Sequence, residues 1–450
     1  MILTATLKIT RPPGPKSRPI VGHAPQLRKN PFRFLVECAR EYGDIVYLRF
    51  GPNPVYLLCH PNHVEEVLNT KSGHFIKGRS LRSNQMLLGE GLLTSEGDFW
   101  KRQRHLAQPA FHRKQIATYG QIMVDYTNQK LATWQTGEVR EIQQEMVELT
   151  LSIVAKTLFD ADIVSEAKEV GMAMQAVMKH FNQRAMSALV FPPHVPTIGN
   201  LSYRRAIQRL DAIIDGFISQ RRVSSENPGD LLSLLLEAQG EDSNDRMSDQ
   251  QLRDEVMTLF VAGHETTAHA LAWIWLLLSQ HSHVEAKLHA EIERVLNGRA
   301  PVIADLPQLH YTSMIIQESL RLYPPVWRMA RQAITDCEIG GYPIKAGTTI
   351  FISQWLIHRD ARFYDRPNDF IPERWENNFA EQLPNGAYFP FGIGKRTCIG
   401  NRFAQMEIAL ILATIAQKFR MSLVPGHPIE IPPAVILHSK QGMKMQIRPH

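Results

Sequence analysis

Cysteine is scarce in this chain: four in 450 residues, at Cys38, Cys59, Cys337 and Cys398. No two of them form a C-x-x-C pair or stand at zinc-ligand spacing, which excludes a zinc finger and a redox dithiol. If Cys398 binds a metal, three cysteines remain, an odd set, which argues for a reducing compartment over a disulfide framework. No apolar run reaches the roughly 20 residues that a bilayer-spanning helix needs. The first residues, Met1-Ile2-Leu3-Thr4-Ala5-Thr6-Leu7-Lys8-Ile9, are too polar to span. They also lack the basic start and apolar core of a signal peptide. A soluble, cytoplasmic protein without a membrane anchor is therefore expected. The net charge is +6 and the pI about 9.1. No run of Lys or Arg resembles a nucleic-acid-binding tail, so no nucleic-acid partner is expected. No linker divides the chain, and one domain over residues 1–450 is expected, with residues 1–15 as a proline-rich lead-in.

What the chain does have is helical pattern. Hydrophobic residues make up 44%, ample for a large core. Arg11-Pro12-Pro13-Gly14-Pro15 cannot be helical and should run extended. Pro31 to Tyr42 predicts a helix stopped by Gly43. Ile45 to Phe50 and Val55 to Cys59 predict two strands joined through Gly51-Pro52-Asn53-Pro54. Pro61 to Leu68 predicts another helix. Lys71 to Asp98 carries Gly73, Gly78, Gly89, Gly91 and Gly97 with no steady period. Long irregular stretches in compact domains are usually functional or disordered, and a mobile surface loop is the alternative to a functional role here. Residues 115–187 and Tyr203 to Arg222 predict helices, with the break Phe191-Pro192-Pro193-His194-Val195-Pro196 between them. Met172, Met174, Met178 and Met186 could form ordinary core or an adaptable apolar roof. Ile339 to Ile352 predicts strand, turn at Gly340-Gly341, and strand. The fold class is mainly α with a small β-rich region.

The longest helix is predicted from the capping-box spacing of Ser248 and Gln251 to about Ser279. At about 1.5 Å per residue it would span roughly 45–50 Å and must cross the core. Its middle reads Ala262-Gly263-His264-Glu265-Thr266-Thr267. Gly263 costs about 1 kcal/mol against alanine in a helix. Glu265 and Thr266 are polar among Leu259, Phe260, Val261 and Leu271. Such breaches of local preference mark functional sites. Gly263 would let a flat ring and a diatomic ligand approach the backbone. Thr266 can bond a backbone carbonyl or a water, and Glu265 can pass protons. His264 reads as a hydrogen-bonded or surface histidine rather than a metal ligand.

The densest chemistry is Phe391-Gly392-Ile393-Gly394-Lys395-Arg396-Thr397-Cys398-Ile399-Gly400, followed by a helical pattern from Asn401. Gly392 and Gly394 allow sharp turns without Cβ clashes, and Gly400 would leave room for something flat. Cys398 stands at the head of a helix, where free N–H groups and the macrodipole favour thiolate and a lowered pKa. A thiolate on a tight glycine loop can serve as an axial haem ligand. The alternative for a lone cysteine is a buried structural thiol.

Other motifs complete a series. Trp100 and Arg104 lie four apart on one helix face. Glu318 and Arg321 lie three apart, and Pro372-Glu373-Arg374-Trp375 supplies a further arginine. Tyr323-Pro324-Pro325-Val326-Trp327 ends a helix and leads to Arg328 and Arg331. Taken in order from about residue 10 to the end, W-x-x-x-R, A-G-x-E-T, E-x-x-R, P-E-R-W and F-x-x-G-x-R-x-C-x-G resemble the motifs of the cytochrome P-450 monooxygenases. The one departure is Trp375, where phenylalanine is common.

The resemblance implies the cytochrome P-450 fold, with haem b (iron protoporphyrin IX) between the long central helix and the cysteine-loop helix. It implies Cys398 as axial ligand of the haem iron. Phe391 belongs to the same loop, and Gly263 lies on the opposite side. Arg396, Arg104 and Trp100 would hold the propionates; Arg331 either joins them or is a plain surface arginine. Thr266 and Glu265 would deliver protons to iron-bound oxygen. Glu318, Arg321 and Arg374 would form a buried structural network. The implied activity is insertion of one oxygen atom from O2 into an apolar organic substrate such as a fatty acid or terpene. The substrate pocket is expected from residues 71–98, 172–196, 326–331 and 434–438, with Val326 and Trp327 among the lining residues. No flavin or nicotinamide domain fits in the chain, so electrons come from a separate donor. Lys101, Arg102, Arg113, Lys114, Lys395 and Arg402 suit an acidic ferredoxin or flavodoxin served by an NAD(P)H reductase; scattered solvated cations are the alternative. A monomer is expected. Rival functions are a haem-thiolate peroxygenase, an isomerase or dehydratase, and a non-catalytic haem sensor; the Glu265-Thr266 pair argues against the isomerase.

Overall fold

The computed structural model describes residues 11–163, 167–186, 195–224, 228–237 and 247–450. The expected loop at 191–194 and Asn227 lie outside the described residues, as does the start of the lead-in at residues 1–10.

The helix Asp249–Gln280 is the axis of the molecule. Its capping box is present: the Ser248 hydroxyl accepts from Gln251 N at 3.2 Å, and Ser248 N donates to the Gln251 side chain at 2.8 Å. These two bonds satisfy end groups that a helix cannot pair internally. From Leu252 to Leu278 most of its residues are buried, because it is packed on all sides. Helix Ile142–Phe159 lies along one face, with Asn401–Ala416 and His310–Leu322 on another. Helices Ala167–Met186 and Ile198–Val223 pair with each other above it. Arg113–Leu131 backs the helix Asn401–Ala416.

The β-rich region is a five-stranded sheet in the order Ile45–Phe50, Asn53–Leu58, Thr349–Ile352, Met329–Ala333, Phe75–Lys77. The first two strands form the expected antiparallel hairpin, with Ile45 opposite Leu58. Asn53–Leu58 then runs parallel to Thr349–Ile352. This corrects the reading of residues 339–352 as one hairpin. The hairpin is Cys337–Ile339 with Tyr342–Ile344, and Thr349–Ile352 leaves it for the larger sheet. Fully buried Ile350 and Ile352 explain the move, since the larger sheet gives both a core to face. A three-stranded sheet orders Val139–Glu141, Lys444–Pro449 and Phe419–Leu423. The proline-rich lead-in docks along the first strand, where Tyr47 N donates to Pro13 O at 2.7 Å. Gly14 is required there, because a Cβ would stand 2.0 Å from Tyr47 O.

The predicted helix from Pro61 is helical to Glu65 and then loosens to a π-turn over Glu66–Thr70. The stretch expected to be irregular contains the strand Phe75–Lys77 and two short helices, Arg79–Arg82 and Gln85–Leu88. The central helix clips this stretch down. Arg253 donates to Leu87 O at 2.7 Å, Asp254 accepts from Glu90 N at 2.9 Å, and Glu255 accepts from Leu92 N at 3.1 Å.

Glu318 and Arg321 are fully buried. Arg321 Nε and Nη2 donate to the Glu318 carboxylate at 2.8 Å each, and its Nη1 donates to His358 O and Pro367 O at 2.8 and 2.6 Å. Arg374 Nε reaches Glu318 at 3.4 Å, and Trp375 Nε1 donates to it at 2.9 Å. The tryptophan at position 375 therefore adds a hydrogen bond that phenylalanine could not make. No helix among the described residues is long and apolar enough to cross a membrane.

Candidate active site

One deep cavity lies between the central helix and the loop before Asn401–Ala416. All nine residues singled out by sequence line it: Trp100, Arg104, Gly263, Glu265, Thr266, Arg331, Phe391, Arg396 and Cys398. They come from four separate segments, so the fold is what assembles them.

The cysteine loop is shaped by glycine. Gly392 and Gly394 have φ of 73° and 72°. At Gly394 a Cβ would stand 2.3 Å from Leu68 O, so glycine is needed twice over. Gly400 has ordinary φ, and a Cβ there would meet only Phe111 at 3.8 Å, which leaves the space expected of it. Cys398 N donates to Phe391 O at 2.9 Å, closing the loop. Cys398 is exposed and lines the cavity. Burial pushes the Cys398 thiol pKa up; the Gly400 backbone, Arg104 and Lys77 pull against it. This corrects the expectation of a lowered pKa from helix position alone. Cys398 stands three residues ahead of Asn401, outside the helix, and desolvation is the largest influence on its thiol.

A cluster of cations rims the same side. The Arg396 guanidinium lies 3.7 Å over the Trp100 ring and pairs with Glu96; it also donates to Ser95 O at 3.0 Å. Arg104 Nη1 donates to Thr397 O at 2.9 Å. Lys77 was not apparent from sequence, and strand register brings it in: Lys77 lies directly opposite Arg331. Like charges in that position repel. Desolvation, helped by Arg331 and Arg396, pulls the Lys77 pKa down to about 7, and burial lowers Arg331 to about 10. Glu96 is the one carboxylate that raises these groups. Arg396 Nη1 is buried without a hydrogen-bond partner. Lys77, Arg104, Arg331 and Arg396 facing a single carboxylate leave a deficit of negative charge that a dianionic group such as a haem with two propionates fits.

Across the cavity, Thr266 Oγ1 donates to Ala262 O at 3.0 Å. Glu265 reaches the cavity from the same turn. His264 points the other way: it is buried, and its Nδ1 bonds Phe260 O at 2.8 Å, consistent with a structural histidine. Gly263 differs from expectation in direction. A Cβ on it would meet Val154 at 3.2 Å, so its missing side chain lets helix Ile142–Phe159 approach. The roof includes Met178 and Phe181, with Val435 and Ile436 from the C-terminal loop. Met174 is core and Met172 is exposed; the Met186 side chain and residues 187–194 lie outside the described residues. Val326 lines the cavity, but Trp327 does not. Its indole donates to Ala434 O at 2.8 Å and packs against Phe32, because a large ring with one donor is best satisfied in that core.

Comparison with known proteins agrees with this geometry. The Cytochrome P-450 family pattern matches residues 12–445. Cyclooctatin synthase of Streptomyces melanosporofaciens is 38% identical over 425 residues, covering 94% of this chain and 92% of that one. Cyclooctat-9-en-7-ol 5-monooxygenase of the same organism is 39% identical over 416 residues, covering 92% and 90%. Pentalenene oxygenase of Streptomyces avermitilis is 34% identical over 434 residues, covering 95% of each. The chain belongs to the cytochrome P-450 family. It is a haem-thiolate monooxygenase that takes O2, a lipophilic substrate and electrons from redox partners.

Proposed function

We propose that this enzyme hydroxylates a terpenoid, with Cys398 holding the haem iron and Thr266 and Glu265 managing protons on the opposite side. The observation that carries the reading is the single cavity shared by a thiol at one wall, a cation cluster at its rim and an acid–hydroxyl pair at the other wall. The substrate class is supported by the names of the three relatives and by an apolar lining that includes Leu81, Leu87, Leu92, Leu259, Val326 and Ile436. Such a lining binds a hydrocarbon by excluding water and offers little to a charged substrate.

The group proposed is haem b, supported by the absence of the C-x-x-C-H sequence that covalent attachment needs. Arg104, Arg331, Arg396 and Lys77 would neutralise its propionates, with Trp100 beneath Arg396; Phe391 and Gly263 would border the ring. When bound, the haem supplies the activation of O2. The chain's residues then do three things. Cys398 gives up its proton and donates electron density. The leucine-rich wall holds the reacting carbon and keeps bulk water out. Thr266 can release its hydroxyl from Ala262 O to hold a water in the cavity, and Glu265 would pass protons to that water.

The electron donor is proposed to be an acidic ferredoxin or flavodoxin with its NAD(P)H reductase, meeting Lys101, Arg102, Lys395 and Arg402. The side chains of Arg113 and Lys114 lie outside the described residues. Steered association weakens with ionic strength, so donor reduction rates that hold constant across a salt series would count against this face. The reading takes residues 1–450 as one domain working as a cytoplasmic monomer, supported by a core cluster that draws residues from Leu87 to Ile447. Light scattering checks the monomer. The function is tested by screening terpene hydrocarbons and alcohols for a substrate-induced spin-state change, followed by product analysis with O2 and reductant. Cys398→Ser should lose the red-shifted carbon monoxide spectrum of sulfur ligation; retention of that spectrum would overturn the ligand assignment.

A further inference from the structure

Protons that reach Glu265 must come from somewhere, and the structure offers a specific source. Glu265 sits on the cavity face of the central helix with its side chain 19% exposed. One turn further on, His269 Nε2 lies 3.8 Å from Glu265 Oε1. That is too long for a direct hydrogen bond, and it is the separation a small side-chain rotation or one water closes. His269 is 5% exposed, and its Nδ1 is buried with no hydrogen-bond partner. A second imidazole lies alongside: the His438 ring is 5.6 Å from the His269 ring, at 28° between planes. His438 belongs to the C-terminal loop and is half-buried. Its Nδ1 faces Ile436 O at 2.9 Å, a carbonyl that can only accept, so Nδ1 carries the proton and Nε2 is left for exchange.

Core packing does not require this arrangement. A histidine buried at the middle of an apolar helix costs stability unless both nitrogens are satisfied. His264, five residues before His269, has its Nδ1 on Phe260 O at 2.8 Å. His269 instead leaves one nitrogen unpaired and points the other at the one acid in the cavity. The charged neighbours that act on His438 are His269 and Glu265, and those that act on His264 are the same two. The helix Ile142–Phe159 brings neutral groups: Thr150, which donates to His264 O at 3.0 Å, and Gln143, which accepts from Ser439 N at 3.0 Å. Helix Ala167–Met186 brings Asn182, which accepts from Val435 N at 2.8 Å.

We propose that His438, His269 and Glu265 form a proton route from the C-terminal loop into the cavity, in which the two histidines are positioning residues that act through Glu265. It rests on the reading of Glu265 as the group that passes protons to Thr266. Each turnover takes two electrons from the redox partner and two protons, and splits one O2 between the product hydroxyl and one water. The route carries both protons one at a time. Solvent protonates His438 at Nε2, His438 passes that proton to the open Nδ1 of His269, and His269 gives its Nε2 proton to the Glu265 carboxylate. Glu265 releases it to a water at Thr266, and His269, left protonated at Nδ1, regains its starting tautomer by moving that proton to Nε2 through water before the second transfer. Imidazole suits the task because its proton affinity lies near neutral pH.

The test uses haem-loaded His438→Gln and His269→Gln, with Glu265→Gln as reference. His438 is half-buried in a loop, so its variant folds even if the buried His269 position proves intolerant. The carbon monoxide spectrum and the substrate-induced spin shift should match the parent. Product formed per NAD(P)H should fall by about tenfold, less than the roughly 10²–10⁴ of a group that touches the reacting atoms, with peroxide released instead. The solvent deuterium isotope effect on product formation should rise. A readout independent of turnover is proton NMR of the diamagnetic carbon monoxide complex. His269 and Glu265 both act on the His438 ring, so His269→Gln should move the His438 midpoint. A His438 midpoint unmoved in His269→Gln, or histidine variants that keep full product per NAD(P)H while Glu265→Gln does not, overturns the route and leaves the role of Glu265 standing. If Glu265→Gln is itself without effect, the underlying reading fails instead.

Discussion

Replacing Glu318 by alanine should be among the most damaging single changes available outside the cavity. The carboxylate accepts from five donors: Arg321 Nε and Nη2 at 2.8 Å, Trp375 Nε1 at 2.9 Å, Ile371 N at 3.0 Å and Arg374 Nε at 3.4 Å. It is fully buried. Alanine would strand two guanidinium groups, Arg321 fully buried and Arg374 with 7% of its side chain exposed. Breaking a buried pair by removing one partner costs about 3–5 kcal/mol. Domains have only about 5–15 kcal/mol in total. Arg321→Ala should cost somewhat less, because Glu318 keeps Arg374, Trp375 and Ile371 as donors. Arg374→Ala removes the longest contact and should cost about 0.5–1.5 kcal/mol. The assay is urea unfolding followed by far-ultraviolet circular dichroism. Haem loss complicates a two-state reading, so the midpoints of the three variants are compared with one another. With a slope of about 3 kcal/mol per molar, a loss of about 4 kcal/mol moves the midpoint by more than about 1 M. An Arg374→Ala midpoint below that of Glu318→Ala, or a Glu318→Ala midpoint equal to the parent, would refute the reasoning.

Three further outcomes are expected. Burial raises the Glu255 pKa to about 8, so the folded state holds a proton that the unfolded chain releases above about 4.5. Stability from this group is therefore present below that unfolded value and declines as pH rises to about 8; Glu255→Gln, which still offers an oxygen to Leu92 N, should flatten that decline in melting temperatures measured from pH 5 to 9. Gly394→Ala forces a Cβ to 2.3 Å from Leu68 O at φ of 72°, and should lower the unfolding midpoint far more than Gly400→Ala, whose Cβ would meet only Phe111 at 3.8 Å. Lys77→Met would remove a cation proposed to meet a propionate; a charged hydrogen bond of that kind is worth about 1.5–3 kcal/mol, so haem transfer to an acceptor apoprotein should speed up roughly 10–150-fold; an unchanged transfer rate would remove Lys77 from the site.

Much of the local structure was legible because its causes are local. Ser248 and Gln251 announce their helix through two bonds that span three residues. Pro31 and Gly43 bracket another, and Gly51-Pro52 turns the first hairpin. The site motifs were legible for a related reason: a cysteine between glycines, or an acid and a threonine inside an apolar helix, violates local preference strongly enough to be seen. Trp327 was misread because a tryptophan beside a cavity segment looks like lining until its indole N–H is seen to need Ala434 O. The strand Thr349–Ile352 was assigned to the wrong partner, since its own residues cannot say which of two sheets will bury them.

By itself, the sequence determined the helices with end signals, the order of the motifs, and which residue types meet at the site. Tertiary structure alone decided that Lys77 faces Arg331, that His438 lies against His269, and that the Cys398 thiol pKa rises. The division has one physical cause. Capping and turn preferences act across a few bonded residues, whereas strand register, desolvation and the balance of buried charge are sums over groups that only folding brings within reach of one another.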